Sequence, residues 1–185
     1  MMRPYYPVSS FTRKQFRAQA ATLRVLAGAV LAGAVAMALL ASDLAHAAPP
    51  LIRFDGGIGS QPLRAGGLTN DVFGVNPGGR PWVISRLTAD ISSDSMARVD
   101  GRGLVLGGGN AIGRNGGQSV RARLICNDGV AVTSTHETAL VALDAAGDFR
   151  FAEPLVPALP AVCGNPVLLI VNAGGAWFAA GIPKP

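Results

Sequence analysis

Beyond residue 47, apolar residues come in short runs broken by Gly, Pro, Asn and Asp, and the dominant spacing is two. Successive side chains of a strand point to opposite faces, so this spacing predicts strands with one face in a core and one in water. In "QSVRARLIC", Val120, Ala122, Leu124 and Cys126 fall on one face, with Ser119, Arg121 and Arg123 on the solvent face. "VISRLTADI" alternates likewise, Val83, Leu87, Ala89 and Ile91 against Arg86, Thr88 and Asp90. "SSDS" then predicts a turn, because these side chains bond their own backbone, and "MARVD" returns as the second arm of a hairpin.

The same reading extends along the chain. "LIRF" opens the sheet, and residues 55–71 form a long irregular excursion. "TALVALD" and "DFRFAE" flank Gly147, which supplies positive φ for a tight connection. "LVPALPAVCGNP" is a loop, since its prolines cannot donate to a ladder. "PVLLIVN" is apolar on both faces and predicts a central strand; "AGGA" turns the chain into a last strand, "WFAAGI". The fold class expected is all-β, an antiparallel β-sandwich of about eight or nine strands.

A different pattern precedes. Arg13, Lys14, Arg17 and Arg24 form a basic segment, an apolar run covers residues 25–41, and "LAHAAPP" places small residues at Ala45 and Ala47. This is the order of an export signal, so a signal peptide over residues 1–47, cleavage between Ala47 and Ala48, and one domain over residues 48–185 are expected. An uncleaved anchor is the alternative, although the run falls short of the roughly 20 residues a bilayer span needs, and cleavage would leave no stable membrane span. "TRKQF" resembles a twin-arginine export signal with Lys14 at the second arginine, so both that route and the general secretory route stay open. The expected location is periplasmic or extracellular.

Removing the leader changes the charge. The whole chain has 16 Lys+Arg and 11 Asp+Glu; the leader holds five of the bases and Asp43, leaving 11 against 10, net +1. The basic balance therefore belongs to the leader and predicts no nucleic-acid partner. Cys126 and Cys163 remain, 37 positions apart. Outside the cytoplasm an even count predicts a disulfide between them. A zinc site would lack ligands, since His136 is the domain's one histidine and no C-x-x-C occurs.

"GLVLGGGNAIGRNGGQSV" invites a comparison with phosphate-binding loops. Gly108 and Gly113 have the separation of the outer glycines in G-x-x-x-x-G-K-[ST], but Arg114 and Asn115 stand where Lys and Ser or Thr belong. G-x-G-x-x-G fails at Ile112, and the segment that follows is strand-like. The stretch reads as a strand end, a wide loop and a turn at "RNGG". Ser119 begins like a nucleophile elbow, yet Arg121 replaces the last glycine. His136 in the polar "STHET" predicts a surface histidine, and Asp90, Asp94 and Asp100 lack calcium-loop spacing and read as turn aspartates. Trp82 and Trp177 sit in apolar surroundings and predict core packing.

"GGGNAIGRNGGQSVRARLIC", "GDFRF" and "PVLLIVNAGGAWFAAGI" together resemble a group of small exported bacterial proteins, over roughly half of the exported part. That group carries no activity or functional residue to transfer. A looser resemblance is to chordin-like repeat domains, whose sandwich is similar to that of copper/zinc superoxide dismutase. The histidines such a repeat carries before its glycines are replaced here by Asn110 and Ala111, so the resemblance implies a fold and no metal.

The functional expectation is an exported envelope or secreted binding or assembly module, non-enzymatic, with no cofactor and an envelope or extracellular partner. Its contact surfaces are the loops at residues 56–67 and 107–117, with Asn110, Arg114 and Asn115 as candidate contact residues. The alternatives are a hydrolase using Ser119 or His136 with Glu137, and a structural subunit that offers a sheet edge to copies of itself.

Overall fold

The computed structural model describes residues 50–65 and 68–184; the expected leader and its cleavage point lie outside them. The chain runs through β1 (Pro50–Gly59), β2 (Arg64–Ala65), β3 (Leu68–Thr69), β4 (Trp82–Val83), β5 (Arg86–Ser92), β6 (Met96–Arg102) and β7 (Val105–Leu106). It continues through β8 (Ser119–Asn127), β9 (Val132–Glu137), β10 (Val141–Ala142), β11 (Phe149–Pro154), β12 (Val167–Asn172) and β13 (Trp177–Lys184). Among the described residues no helix is long and apolar enough to cross a membrane.

The all-β expectation holds, and the architecture is a single curled sheet. Strands follow one antiparallel path, β10-β8-β12-β13-β1-β5-β6-β11, with β9 beside β10 on the same edge of β8. The two separate sheets of a sandwich are not seen among the described residues. The ladder passes unbroken from one half to the other, because β1 pairs with β5 through its first half and with β13 through its second. Its register shifts between Phe54 and Gly57, and Gly56 there has φ +101°. Such a bulge bends a strand and increases its twist, which lets the sheet curl. The curl brings the two edges together: the N–H and C=O of Glu137 bond those of Val156 at 2.9 and 2.8 Å.

One core fills the curl. Leu87, Ala89 and Ile91 from β5, Val120, Ala122 and Leu124 from β8, Phe149 and Phe151 from β11, and Leu168 and Ile170 from β12 are all buried in it. Each large side chain removed from water contributes about 1.5–3 kcal/mol, so the period-two pattern determines which face each strand turns inward. The Phe149 ring lies over Gly101, its cross-strand partner, where a Cβ would come within 2.1 Å of the ring. β12 is apolar on both faces because both are covered. Leu169 and Val171 point outward and pack with Ile125 and Trp177 beneath Val72 and Val75 of the excursion between β1 and β4.

Several expectations are corrected. Val83 belongs to the short β4–β7 pair and is 44% exposed, so it does not continue β5. Residues 56–59, expected in a loop, lie in β1. "TALVALD" forms only the two-residue β10. Asp94 does sit in the turn, where it accepts bonds from Ser92 Oγ and Met96 N–H, but Asp90 and Asp100 lie within β5 and β6.

The disulfide is present, Cys126 to Cys163 with Cα atoms 5.0 Å apart, a bond compatible with an exported protein. It fixes the loop between β11 and β12 to the end of β8. The same loop is tied to the β5–β6 turn, where Ser95 accepts from Leu155 N–H through its carbonyl and from Leu159 N–H through Oγ.

Candidate functional site

The residues of the hydrolase alternative do not converge. His136 and Glu137 are neighbours on β9 and so point to opposite faces. Ser119 lies at the start of β8, five residues before Leu124, the residue paired with His136, which is about 17 Å along the strand. His136 is 2% exposed, not a surface residue, because its pairing with Leu124 places it on the core face. Its Nδ1 lies 2.7 Å from the Pro157 carbonyl, which can only accept, so Nδ1 carries the proton. Its Nε2 lies 2.8 Å from Ser134 Oγ, so both ring nitrogens have a polar partner. Ser134 was not singled out from sequence; its place two residues before His136 on one strand face was the available signal.

Glu137 holds the opposite face. Arg123 Nε donates to Oε1 at 2.6 Å, and Arg121 Nε lies 3.2 Å from Oε2 without the alignment of a hydrogen bond. These arginines were expected in water, but their side chains are only 23% and 18% exposed, since β9 lays a carboxylate alongside them.

The glycine stretch is a closed loop between β7 and β8. Leu106 N–H donates to Arg114 C=O at 2.9 Å and Gly113 N–H to Leu106 C=O at 2.8 Å. Gly107 N–H goes to Pro81 C=O, Ile112 N–H to Gly109 C=O and Arg114 N–H to Ala111 C=O. β8 rather than a helix follows, so no helix N-terminus stands beside the loop to receive an anion. Asn110 and Ile112 are exposed at the apex, Ile112 at 66%, and Arg114 is exposed where the loop closes on Leu106. Asn115 has a different place. Its amide donates to the Leu143 and Asp144 carbonyls at 3.3 and 2.6 Å, and its Oδ1 accepts from Gly117 N–H at 3.0 Å. It anchors the loop rather than presenting itself.

The loop forms one wall of a cavity of about 420 Å³ lined by Gly78, Arg80, Trp82, Leu106, Gly116, Gln118, Asn172 and Phe178, among others. Trp82 and Phe178 stack with centroids 3.9 Å apart and planes 14° off parallel. Both are nearly buried, as is Trp177, so the core role expected of the tryptophans holds. Gln118 and Asn172 meet across the lining, Asn172 Nδ2 to Gln118 Oε1 at 3.4 Å, and Asn172 Oδ1 accepts from Ala176 N–H at 2.9 Å. Sequence reading overlooked Arg80, Gln118 and Asn172, which belong to three distant segments. A larger depression of about 670 Å³ lies near Cys163, but its cations are engaged, Arg53 with Asp90 at 3.0 Å and Lys184 with Asp55 at 3.7 Å.

No family model, curated protein or solved structure matches the chain. The resemblance to small exported bacterial proteins therefore stands on its quoted segments alone. The β-rich fold fits it without establishing a family.

Proposed function

We propose that the chain is an exported, non-enzymatic binding module of the envelope or the extracellular space, with the glycine-rich loop and the adjoining cavity as its contact end. The halves of the curled sheet face each other across one core, the packing of a two-layer sandwich, and this provides a stiff platform. The observation that carries the reading is the loop itself. Leu106 closes its base against Gly113 and Arg114, Asn115 ties that base to the Leu143 and Asp144 carbonyls, and Asn110, Ile112 and Arg114 stand exposed. A pre-ordered loop pays little ordering entropy on binding, which suits it to recognition.

The test is affinity capture from the native envelope fraction with the wild type and with an Asn110→Ala, Ile112→Ser, Arg114→Ala variant that keeps every glycine. The variant should retain its fold and lose the partner recovered by the wild type; undiminished recovery removes the loop from the contact surface. Intact-mass measurement of the exported protein should show residues 1–47 gone and two hydrogens missing at the cysteines.

A further inference from the structure

We propose that the cavity beside Trp82 binds a small carboxylate ligand, with the Arg80 guanidinium and the Trp82 indole N–H as its principal donors. The proposal rests on the reading that this end of the sheet is the binding end, and it adds the chemistry of what enters.

The cavity's donors and acceptors are unevenly matched. Its side-chain acceptors are used by the protein, Asn172 Oδ1 by the Ala176 N–H and Gln118 Oε1 by Asn172 Nδ2, and the Gly116 carbonyl takes Gln118 Nε2 at 3.3 Å. Its strongest donors are not. Arg80 is exposed and makes no ion pair among the described residues. Trp82 Nε1–H meets no acceptor among them, whereas Trp177 Nε1–H donates to Asn70 C=O at 3.2 Å. No Asp or Glu lines the cavity. A guest that supplies acceptors and negative charge completes such a lining, and a carboxylate matches the planar guanidinium fork in two parallel bonds.

The walls favour the same guest. A Cβ at position 78 would come within 2.9 Å of both Trp82 Nε1 and Phe178 Cε1, so glycine there leaves the indole N–H uncovered. The stacked Trp82–Phe178 pair and Leu106 form an apolar floor, and the low local dielectric beside it strengthens a charge-assisted bond. The volume of about 420 Å³ lies at the lower end of the range for small-ligand sites, the size of an acidic sugar or the end of a short peptide.

The chain contains two tryptophans, so ¹⁵N-labelled full-length protein gives two indole N–H signals, assigned with Trp82→Phe. Galacturonate and N-acetylalanine are titrated, each beside its uncharged counterpart, galactose or N-acetylalanine amide. The acids should move the Trp82 signal and leave Trp177 in place, and the neutral counterparts should move neither. Arg80→Gln, at an exposed position, should fold normally and weaken the response roughly tenfold or more. A response to one acid alone upholds the proposal and tells whether the carboxylate comes from a sugar or a peptide end. The proposal is overturned if neither acid moves Trp82 up to about 10 mM, if the neutral compounds act equally, or if Arg80→Gln responds like the wild type. The loop variant separates the two readings: undiminished partner recovery with an intact Trp82 response removes the loop and leaves the cavity, and the opposite pair of results does the reverse.

Discussion

Removing both cysteines, as Cys126→Ala with Cys163→Ala, opens a covalent loop spanning 37 positions. In the chain-entropy description, closing a loop of that length restricts the unfolded ensemble by about 13 cal/mol/K, or about 3.8 kcal/mol at 25 °C. Cys126 is fully buried and Cys163 packs against the core, so the double alanine variant also loses a little packing. With a urea m-value of about 2 kcal/mol per molar for a domain of this size, the midpoint should fall by about 2 M. Equilibrium urea unfolding of wild type, double variant and reduced wild type, followed by far-UV circular dichroism, measures it. The two cross-link-free proteins should agree closely. A midpoint shift below about 0.5 M would refute the argument, because it would mean that the chain between Cys126 and Cys163 is already confined in the unfolded state without the cross-link. Eight residues of β8 separate Cys126 from Gln118, about 26 Å, so the Trp82 response to acids should survive the cross-link's removal.

Two other perturbations test the electrostatics. Glu137→Ala leaves Arg121 and Arg123 facing each other on a partly covered surface and should cost about 1–2 kcal/mol in urea unfolding, with Glu137→Gln losing less. On the far side of the sheet, Arg102 donates to Asp100 and to Asp148, each at 2.9 Å, and these bonds are the largest influence holding both carboxyls below the usual carboxylate range. Arg150 and Gly103 N–H assist at Asp100 and Asp148 respectively. A lowered folded-state pKa gives stability that is present above the unfolded value of about 3.9 and lost as pH falls through the folded value. Urea midpoints should therefore drop below about pH 4, and Arg102→Met should flatten that drop; an unchanged acid slope in the variant would count against the pairing.

The fold class was legible because period two is a local signal. Val120, Ala122, Leu124, Leu87, Ala89 and Ile91 face the core as their spacing requires, and "PVLLIVN" is covered on both faces as its composition requires. The cysteine pairing was legible from number and compartment. The closing of the curl was not, because it depends on the register shift of β1 against β13 between Phe54 and Gly57 and on a bridge between Glu137 and Val156. His136 misled for a related reason. Its immediate neighbours are polar, and only its pairing with Leu124 and the arrival of Pro157 bury it. The cavity was the least legible feature. Arg80, Gln118 and Asn172 stand tens of positions apart in loops and strand ends, where no period links them.

Two glycines of the stretch, Gly107 and Gly116, join Gly59 and Gly78 around one aromatic residue. A Cβ at Gly59 would fall 2.0 Å from the Trp82 carbonyl, one at Gly107 2.8 Å from Val83 Cγ1, and one at Gly78 2.9 Å from Trp82 Nε1. At Gly116 the nearest atom would be Trp82 Cη2, at 3.5 Å. Three glycines from three separate segments, Gly59, Gly78 and Gly107, thus leave the space that the Trp82–Val83 segment and the indole occupy, while Gly116 packs at the indole edge at ordinary contact distance. The glycine-rich loop and the Trp82 cavity are therefore joined at Leu106, which closes the loop through Gly113 and Arg114, pairs with Trp82 across β4 and β7, and lines the cavity.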